Sequence, residues 1–131
     1  MMLKTYVAVI QEAEEGGYTV HFPDVENAYT EGDNIEETMI NAQEVLGVML
    51  AYRIEDEEPF PKQSSISDIN NTLKYNQFAA LIQVDYTQYI RDSKVIKKTL
   101  TMPDWLNKMA EKEGIAFSAT LVEALKEKLG V

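Results

Sequence analysis

At 131 residues the chain suffices for one ordinary domain or two small ones, and 45% apolar with 26% charged residues is a globular composition. The absence of cysteine excludes disulfides and thiolate metal sites and suits a reducing cytoplasm, and no apolar run approaches a membrane span. The net charge of −10 argues against uniform nucleic-acid binding, but it divides unevenly: residues 1–92 carry 17 acidic and 5 basic side chains (−12), and residues 93–131 carry 5 and 7 (+2). An acidic body on a mildly basic foot suits two partners of opposite charge, although solubility alone also favours an acidic surface.

The first residues, MMLKTYVAVIQEAEE, lack a signal-peptide cleavage pattern and read as a strand. Within them Thr5 to Ile10 is apolar on both faces, which predicts a central strand. After a turn over Glu12–Gly17, Tyr18, Val20 and Phe22 alternate with Thr19 and His21, a half-exposed strand that Pro23-Asp24 ends. Ala28–Thr30 forms a short third strand. Asp33 or Asn34 caps a long helix, with Glu36 or Glu37 completing a capping box. Ile35, Met39, Ala42, Leu46 and Met49 form its buried face, and it runs to about Tyr52 or Ile54. Charge, proline, serine and asparagine mark Glu55–Asn71 as loop. Phe78–Val84 is an apolar fourth strand, and Asp85–Ser93 is a polar linker with a helical turn at Tyr86–Arg91. The front of the chain therefore reads β-β-β-α-β, a small sheet with one long helix across a face.

Val95–Met102 alternates as a strand does, with Ile96, Leu100, Met102 and the stem of Lys98 on one face and Val95, Lys97, Thr99 and Thr101 on the other. Pro103 ends the strand and opens a helix to about Glu113, with Asp104 in its first turn. Leu106, Met109 and Ala110 form its apolar stripe, with Trp105 beside it. Gly114 stops that helix in the left-handed conformation, so that Ile115 closes back on Ala110. Ser118 is expected to cap a second helix, with Phe117 stapling onto Val122 and Leu121, Leu125 and Leu129 along one face. So small a unit cannot bury a sufficient core alone, and its lone strand has both edges unpaired. The economical solution is an intertwined two-fold dimer around an antiparallel ribbon, with Ile96, Leu100, Met102, Trp105, Leu106, Leu121 and Leu125 as its core. This tail resembles a ribbon-helix-helix domain (β-α-α), whose paired ribbon enters the DNA major groove.

The front carries Phe22-Pro23-Asp24, then Thr30-Glu31-Gly32-Asp33, then Glu36-Glu37, then Asn41-Ala42 with Glu44 and Leu46. In that order the pieces resemble the HicB antitoxin pattern of a strand ending in FPD, T-x-G-D, and a helix beginning EE and carrying NA-x-E-x-L. With the tail, the resemblance covers nearly all of the chain apart from about twenty residues in the middle. One departure is Glu26-Asn27, where a Pro-Gly turn is common in the family. The resemblance implies an α+β protein: a truncated ribonuclease-H-like domain over residues 1–92 and a ribbon-helix-helix dimerisation and DNA-binding domain over residues 93–131. It implies a cytoplasmic antitoxin that binds and inhibits a HicA-type mRNA-cleaving ribonuclease and, as a homodimer, represses its own operon at an inverted repeat. Whether dimers pair into tetramers stays open at this point. So does a rival reading, a repressor whose front domain binds another protein or a small ligand.

Catalytic chemistry is sparse. Ribonuclease-H-type cleavage needs carboxylates gathered around divalent metals, whereas Asp24, Glu26, Glu31 and Asp33 fall at strand ends and helix starts, where turn and capping roles explain them. His21 is the only histidine and has no acid–base partner nearby in sequence. No phosphate loop, nucleophile elbow, dinucleotide fingerprint or zinc spacing occurs, so neither an enzyme nor a cofactor is expected. Lys97, Thr99 and Thr101 share the outward ribbon face, where lysine can donate to guanine and threonine offers a hydroxyl and a methyl to base edges. Lys94 is a further candidate DNA-binding residue, and the amides at Ser118 and Ala119 are candidate phosphate contacts, although a plain N-cap explains them as well. The exposed part of Tyr18–Thr30, with Tyr18, His21, Pro23, Asp24, Glu26 and Tyr29, is the candidate toxin surface.

Overall fold

The structure is a computed structural model that describes residues 1–92 and 94–131. The chain divides into two compact units, Met2–Arg91, and Asp92–Val131 together with Met1. The boundary expected between residues 92 and 93 borders Ser93, which lies outside the described residues.

In the front unit, strands β1 (Leu3–Glu12), β2 (Tyr18–His21) and β3 (Tyr29–Gly32) are followed by helix α1 (Ile35–Glu55), the short helix α2 (Ile66–Asn70) and strand β4 (Gln77–Asp85). The strands form one antiparallel sheet in the order β3-β2-β1-β4, so β1 is central as its two apolar faces require. Tyr6, Ala8 and Ile10 face α1 and join Val20, Ala42, Leu46, Leu50, Ile82 and Val84 in the main core. Val7 and Val9 face the other side and meet Ile69 of α2.

Asn34 caps α1, its Oδ1 accepting the Glu37 N–H at 2.8 Å, while the Thr38 hydroxyl donates to the Asn34 carbonyl at 2.6 Å. Those bonds turn the helix so that Thr38, Ala42, Leu46 and Leu50 lie underneath. Met39 and Met49 are only partly buried, and Ile35, expected in the core, is exposed because the first helical residue overhangs the sheet ahead of this stripe. Gly32 explains the glycine of T-x-G-D. A Cβ there would stand 2.4–2.7 Å from the Thr38 hydroxyl and backbone, so only glycine lets the first turn of α1 rest on the end of β3.

The segment expected as loop holds α2. Ser65 caps it by accepting the Asp68 N–H at 3.1 Å, and Ile69 is buried beneath β1. Five residues are too few to show a helical period, so only the S-x-x-D cap and one apolar residue announce it. After β4, Asp85 accepts the Thr87 hydroxyl at 2.6 Å and the Thr87 N–H at 3.2 Å, opening a 3₁₀ turn over Tyr86–Tyr89. The hydroxyl bond holds the half-buried Asp85 carboxyl below its ordinary range. Tyr86 packs edge-on against Phe60, ring centroids 4.9 Å apart.

In the tail unit, α3 (Asp104–Lys112) and α4 (Phe117–Leu129) form. The Pro103 carbonyl accepts the Leu106 and Asn107 N–H groups, so proline precedes the helix instead of occupying its first position. The far end matches the expectation. Gly114 has φ 70°, Ile115 N–H reaches the Ala110 carbonyl at 3.0 Å and Gly114 N–H the Glu111 carbonyl at 3.1 Å, a Schellman turn. That turn brings the chain into helical geometry early, at Phe117. Ala116 therefore stands at the cap of α4, and Ser118 lies inside the first turn without capping it. The staple from Phe117 to Val122 loses its register for the same reason. Residues 94–103 join no ladder among the described residues, and neither α3 nor α4 has a buried residue. A strand needs a neighbour to bond to, and the tail alone offers none.

Candidate functional site

The first candidate surface follows from where α2 stops. On the sheet face away from α1, α2 covers Val7 and Val9 of β1 and packs against Ala79 of β4. The β2–β3 half remains open. There the pleat brings out Thr19, His21, Tyr29 and Glu31, in the cross-strand pairs Thr19↔Glu31 and His21↔Tyr29. Tyr29 is 69% exposed, and the four side chains line a shallow cleft of about 570 Å³. It offers one aromatic anchor, hydroxyl and imidazole hydrogen-bonding groups, and a carboxylate.

The six residues expected here do not form one surface. His21 and Tyr29 do, as direct neighbours. Tyr18 does not, because its parity sends the ring to the α1 face, where it packs against the main core. Asp24 is half-buried and already engaged, its Oδ2 accepting the Ser64 N–H and its Oδ1 the Ser64 hydroxyl, each at 2.7 Å. It fastens the segment entering α2 to the turn after β2, so its carboxylate is committed within the fold. The same segment is pinned by the Tyr6 hydroxyl, which donates to the Pro61 carbonyl at 2.7 Å. Burial pushes that hydroxyl above its ordinary pKa, and the nearby Asp24 charge acts in the same direction. Pro23 and Glu26 are exposed on the turn from Phe22 to Ala28. Asn27 takes the left-handed position of that turn, φ 63°, a conformation asparagine tolerates, so Glu26-Asn27 stands where the family often has Pro-Gly. Thr19 falls within the expected stretch Tyr18–Thr30 without being singled out there, and Glu31 lies one residue beyond it. Strand parity, carried from His21 to Thr19 and from Tyr29 to Glu31, is the signal that finds them.

Among the described residues, no three of His, Asp and Glu come together as a set that could hold a metal ion. Asn41, of the NA-x-E-x-L pattern, donates to the Glu31 carbonyl at 2.8 Å and so closes one backbone acceptor on the outer edge of β3.

The second candidate surface is the tail. Lys97, Thr99 and Thr101 are exposed at alternate positions, and the Lys94 N–H is held by Asp92 Oδ1 at 2.9 Å. Ser118 and Ala119 lie in the first turn of α4, where amide groups have no carbonyl one turn earlier to bond. Of the residues expected as a dimer core, Ile96, Leu100, Met102, Trp105, Leu106 and Leu125 are all exposed and Leu121 is half-buried. Trp105 is 63% exposed and Ile96 73%. No helix among the described residues is long and apolar enough to cross a membrane.

An antiparallel four-stranded sheet crossed by one long helix, with a separate helical tail, is the α+β architecture of a chain of the toxin–antitoxin complex from Streptococcus pneumoniae. The match has a TM-score of 0.62 at 32% identity and covers 97% of this chain and 99% of that one. Residues 6–125 fit the family model described as HicB-like antitoxin of bacterial toxin–antitoxin systems, and the chain belongs to that family. An uncharacterised 14.9 kDa protein of Haemophilus phage HP1 is 32% identical over 93 residues, 70% of this chain and 68% of that one. Antitoxin HicB 1 of Photorhabdus laumondii is 39% identical over 56 residues, 43% of this chain and 36% of that one. Family membership makes the protein an antitoxin of a toxin–antitoxin system, a regulatory role.

Proposed function

We propose that the front unit neutralises a HicA-type mRNA-cleaving ribonuclease in the cytoplasm, and that the tail pairs two copies as a ribbon-helix-helix domain that represses the operon. The observation that carries this reading is the contrast between the units: Met2–Arg91 has a complete core, while α3 and α4 have no buried residue. A unit with its own core can bind a partner by itself. A unit with none needs a second copy. The front reads as a truncated ribonuclease-H-like domain, which the sheet order and the single long helix support. Its acidic surface speeds encounter with a basic toxin and competes with RNA for the same face. The open half of the sheet, with Tyr29 as its anchor, is the contact surface.

The test titrates the antitoxin against RNA cleavage by the toxin that co-purifies with it. Tyr29→Ala with Glu31→Lys, both outside the core, should weaken inhibition on the order of tenfold or more, the usual consequence of losing a buried aromatic anchor and reversing a charge. Inhibition at the wild-type concentration would remove this half of the sheet from the contact.

A further inference from the structure

The open half of the sheet ends at the outer edge of β3. The Phe22 N–H donates to the Ala28 carbonyl at 2.9 Å, so Ala28 turns its backbone groups toward β2. Backbone direction alternates along a strand, so Thr30 and Gly32 do the same in the ladder pairs Val20↔Thr30 and Tyr18↔Gly32. Tyr29 and Glu31 therefore turn their N–H and C=O groups away from the sheet. The bond from Asn41 agrees, since its Nδ2 reaches the Glu31 carbonyl from α1 at 2.8 Å. Among the described residues, the Tyr29 N–H and C=O and the Glu31 N–H have no partner.

These three groups lie between two recesses. On the open face is the cleft of Thr19, His21, Tyr29 and Glu31. On the α1 face, Thr30, Asn41, Glu44, Val45 and Val48 line a second groove of about 360 Å³. Val45 and Val48 are half-buried there, and Glu44 is exposed. We propose that an extended strand of the toxin adds to β3 at this edge, its backbone bonding to Tyr29 and Glu31 and its alternate side chains entering the two recesses. The inference rests on the reading of the front unit as the toxin-binding unit and states how that contact is made.

Geometry and charge set the occupant. Directly opposed residues share a face, so the side chain opposite Thr30 falls on Val45 and Val48, and those opposite Tyr29 and Glu31 fall on the open face. Each recess has an apolar or aromatic wall and one carboxylate, Glu44 in the groove and Glu31 in the cleft. A lysine or arginine suits both, its stem on the wall and its charge at the carboxylate. The strand that fits therefore carries basic residues at neighbouring positions, one for each face. A second copy of β3 does not fit, because it would set carboxylate against carboxylate on units that each carry −12 over residues 1–92. Asn41 holds the Glu31 carbonyl, so the added strand pairs over Tyr29–Glu31 and leaves the sheet there. Four residues with one closed acceptor make a short edge, which admits a charged complement and offers little to indiscriminate pairing.

Amide exchange resolved by residue reads this pairing in the full-length chain. In the free protein the Tyr29 and Glu31 amides should exchange fast, and the Thr30 amide, bonded to β2, slowly. In the complex with the co-purified toxin all three should be slow. Two variants separate backbone from side chain. Glu31→Ala removes the carboxylate alone, and Glu31→Pro also removes the outward N–H, which an edge strand tolerates. The proline variant should inhibit the toxin on the order of tenfold less well than the alanine variant, because a toxin carbonyl is left without its donor. A slow Thr30 amide in Glu31→Pro shows that β3 still pairs with β2; where it is fast, exchange in the unaltered chain decides alone. Tyr29 and Glu31 amides that exchange as fast in the complex as in the free chain would overturn the strand addition, as would equal inhibition by folded alanine and proline variants. Either result alongside weakened inhibition by Tyr29→Ala with Glu31→Lys leaves the toxin surface standing, whereas wild-type inhibition by that pair would overturn the surface itself.

Discussion

Leu100→Asp should halve the mass of the assembly in solution while leaving the front unit folded. Leu100 alternates with Lys97, Thr99 and Thr101 on a segment that joins no ladder within the described chain, and about half its surface is exposed there. If two tails pair through this segment, Leu100 meets its symmetry mate's helices, together with Ile96 and Met102. A carboxylate placed in that face has no partner and costs several kcal/mol, and two-fold symmetry imposes the cost twice. The main core of the front unit draws no residue from the tail, so its helical and sheet signals in circular dichroism should persist. Sizing by light scattering checks the outcome. An unchanged mass would put the contact between copies elsewhere.

Lys97→Ala with Thr99→Ala should weaken operator binding by roughly tenfold or more. On a paired ribbon the two residues face outward with Thr101, and symmetry presents three such side chains from each copy to one major groove. Each base contact contributes about 1–3 kcal/mol, and each substitution counts twice. The single variants separate base from backbone. Thr99→Ala should cost affinity for the operator and not for scrambled DNA. Lys97→Ala, if the ammonium meets phosphate, should weaken both alike and flatten the salt dependence. Gel shifts on the two DNAs at two salt concentrations read this directly. Wild-type operator affinity in the double variant would remove the ribbon from DNA binding.

Strand parity and glycine chemistry made much of this architecture legible in advance. The apolar residues on both faces of Thr5–Ile10 required a central strand, and β1 is central. Gly114 followed by Ile115 announced a Schellman turn, and both of its hydrogen bonds form. Elements set by few residues were less legible. α2 is a single short helix whose cap, Ser65, lies in a run that otherwise reads as loop. Ser118 has the residue type of a cap, but the preceding turn decides where α4 begins, and its cap is Ala116, two residues earlier. The candidate site suffered in the same way. Asp24 reads as a free carboxylate until Ser64, distant in sequence, is seen to occupy it. Tyr18 was grouped by proximity in sequence with residues that the pleat sends to the opposite face. Family resemblance supplied the partner class, which no residue of this chain states by itself.

The division of labour between the units has one direct test. Residues 1–92, which contain the main core, are titrated beside the full chain against RNA cleavage by the co-purified toxin. The account predicts that the front unit inhibits at the same toxin equivalence as the full chain, with no protection of operator DNA. Inhibition by the full chain alone would contradict it.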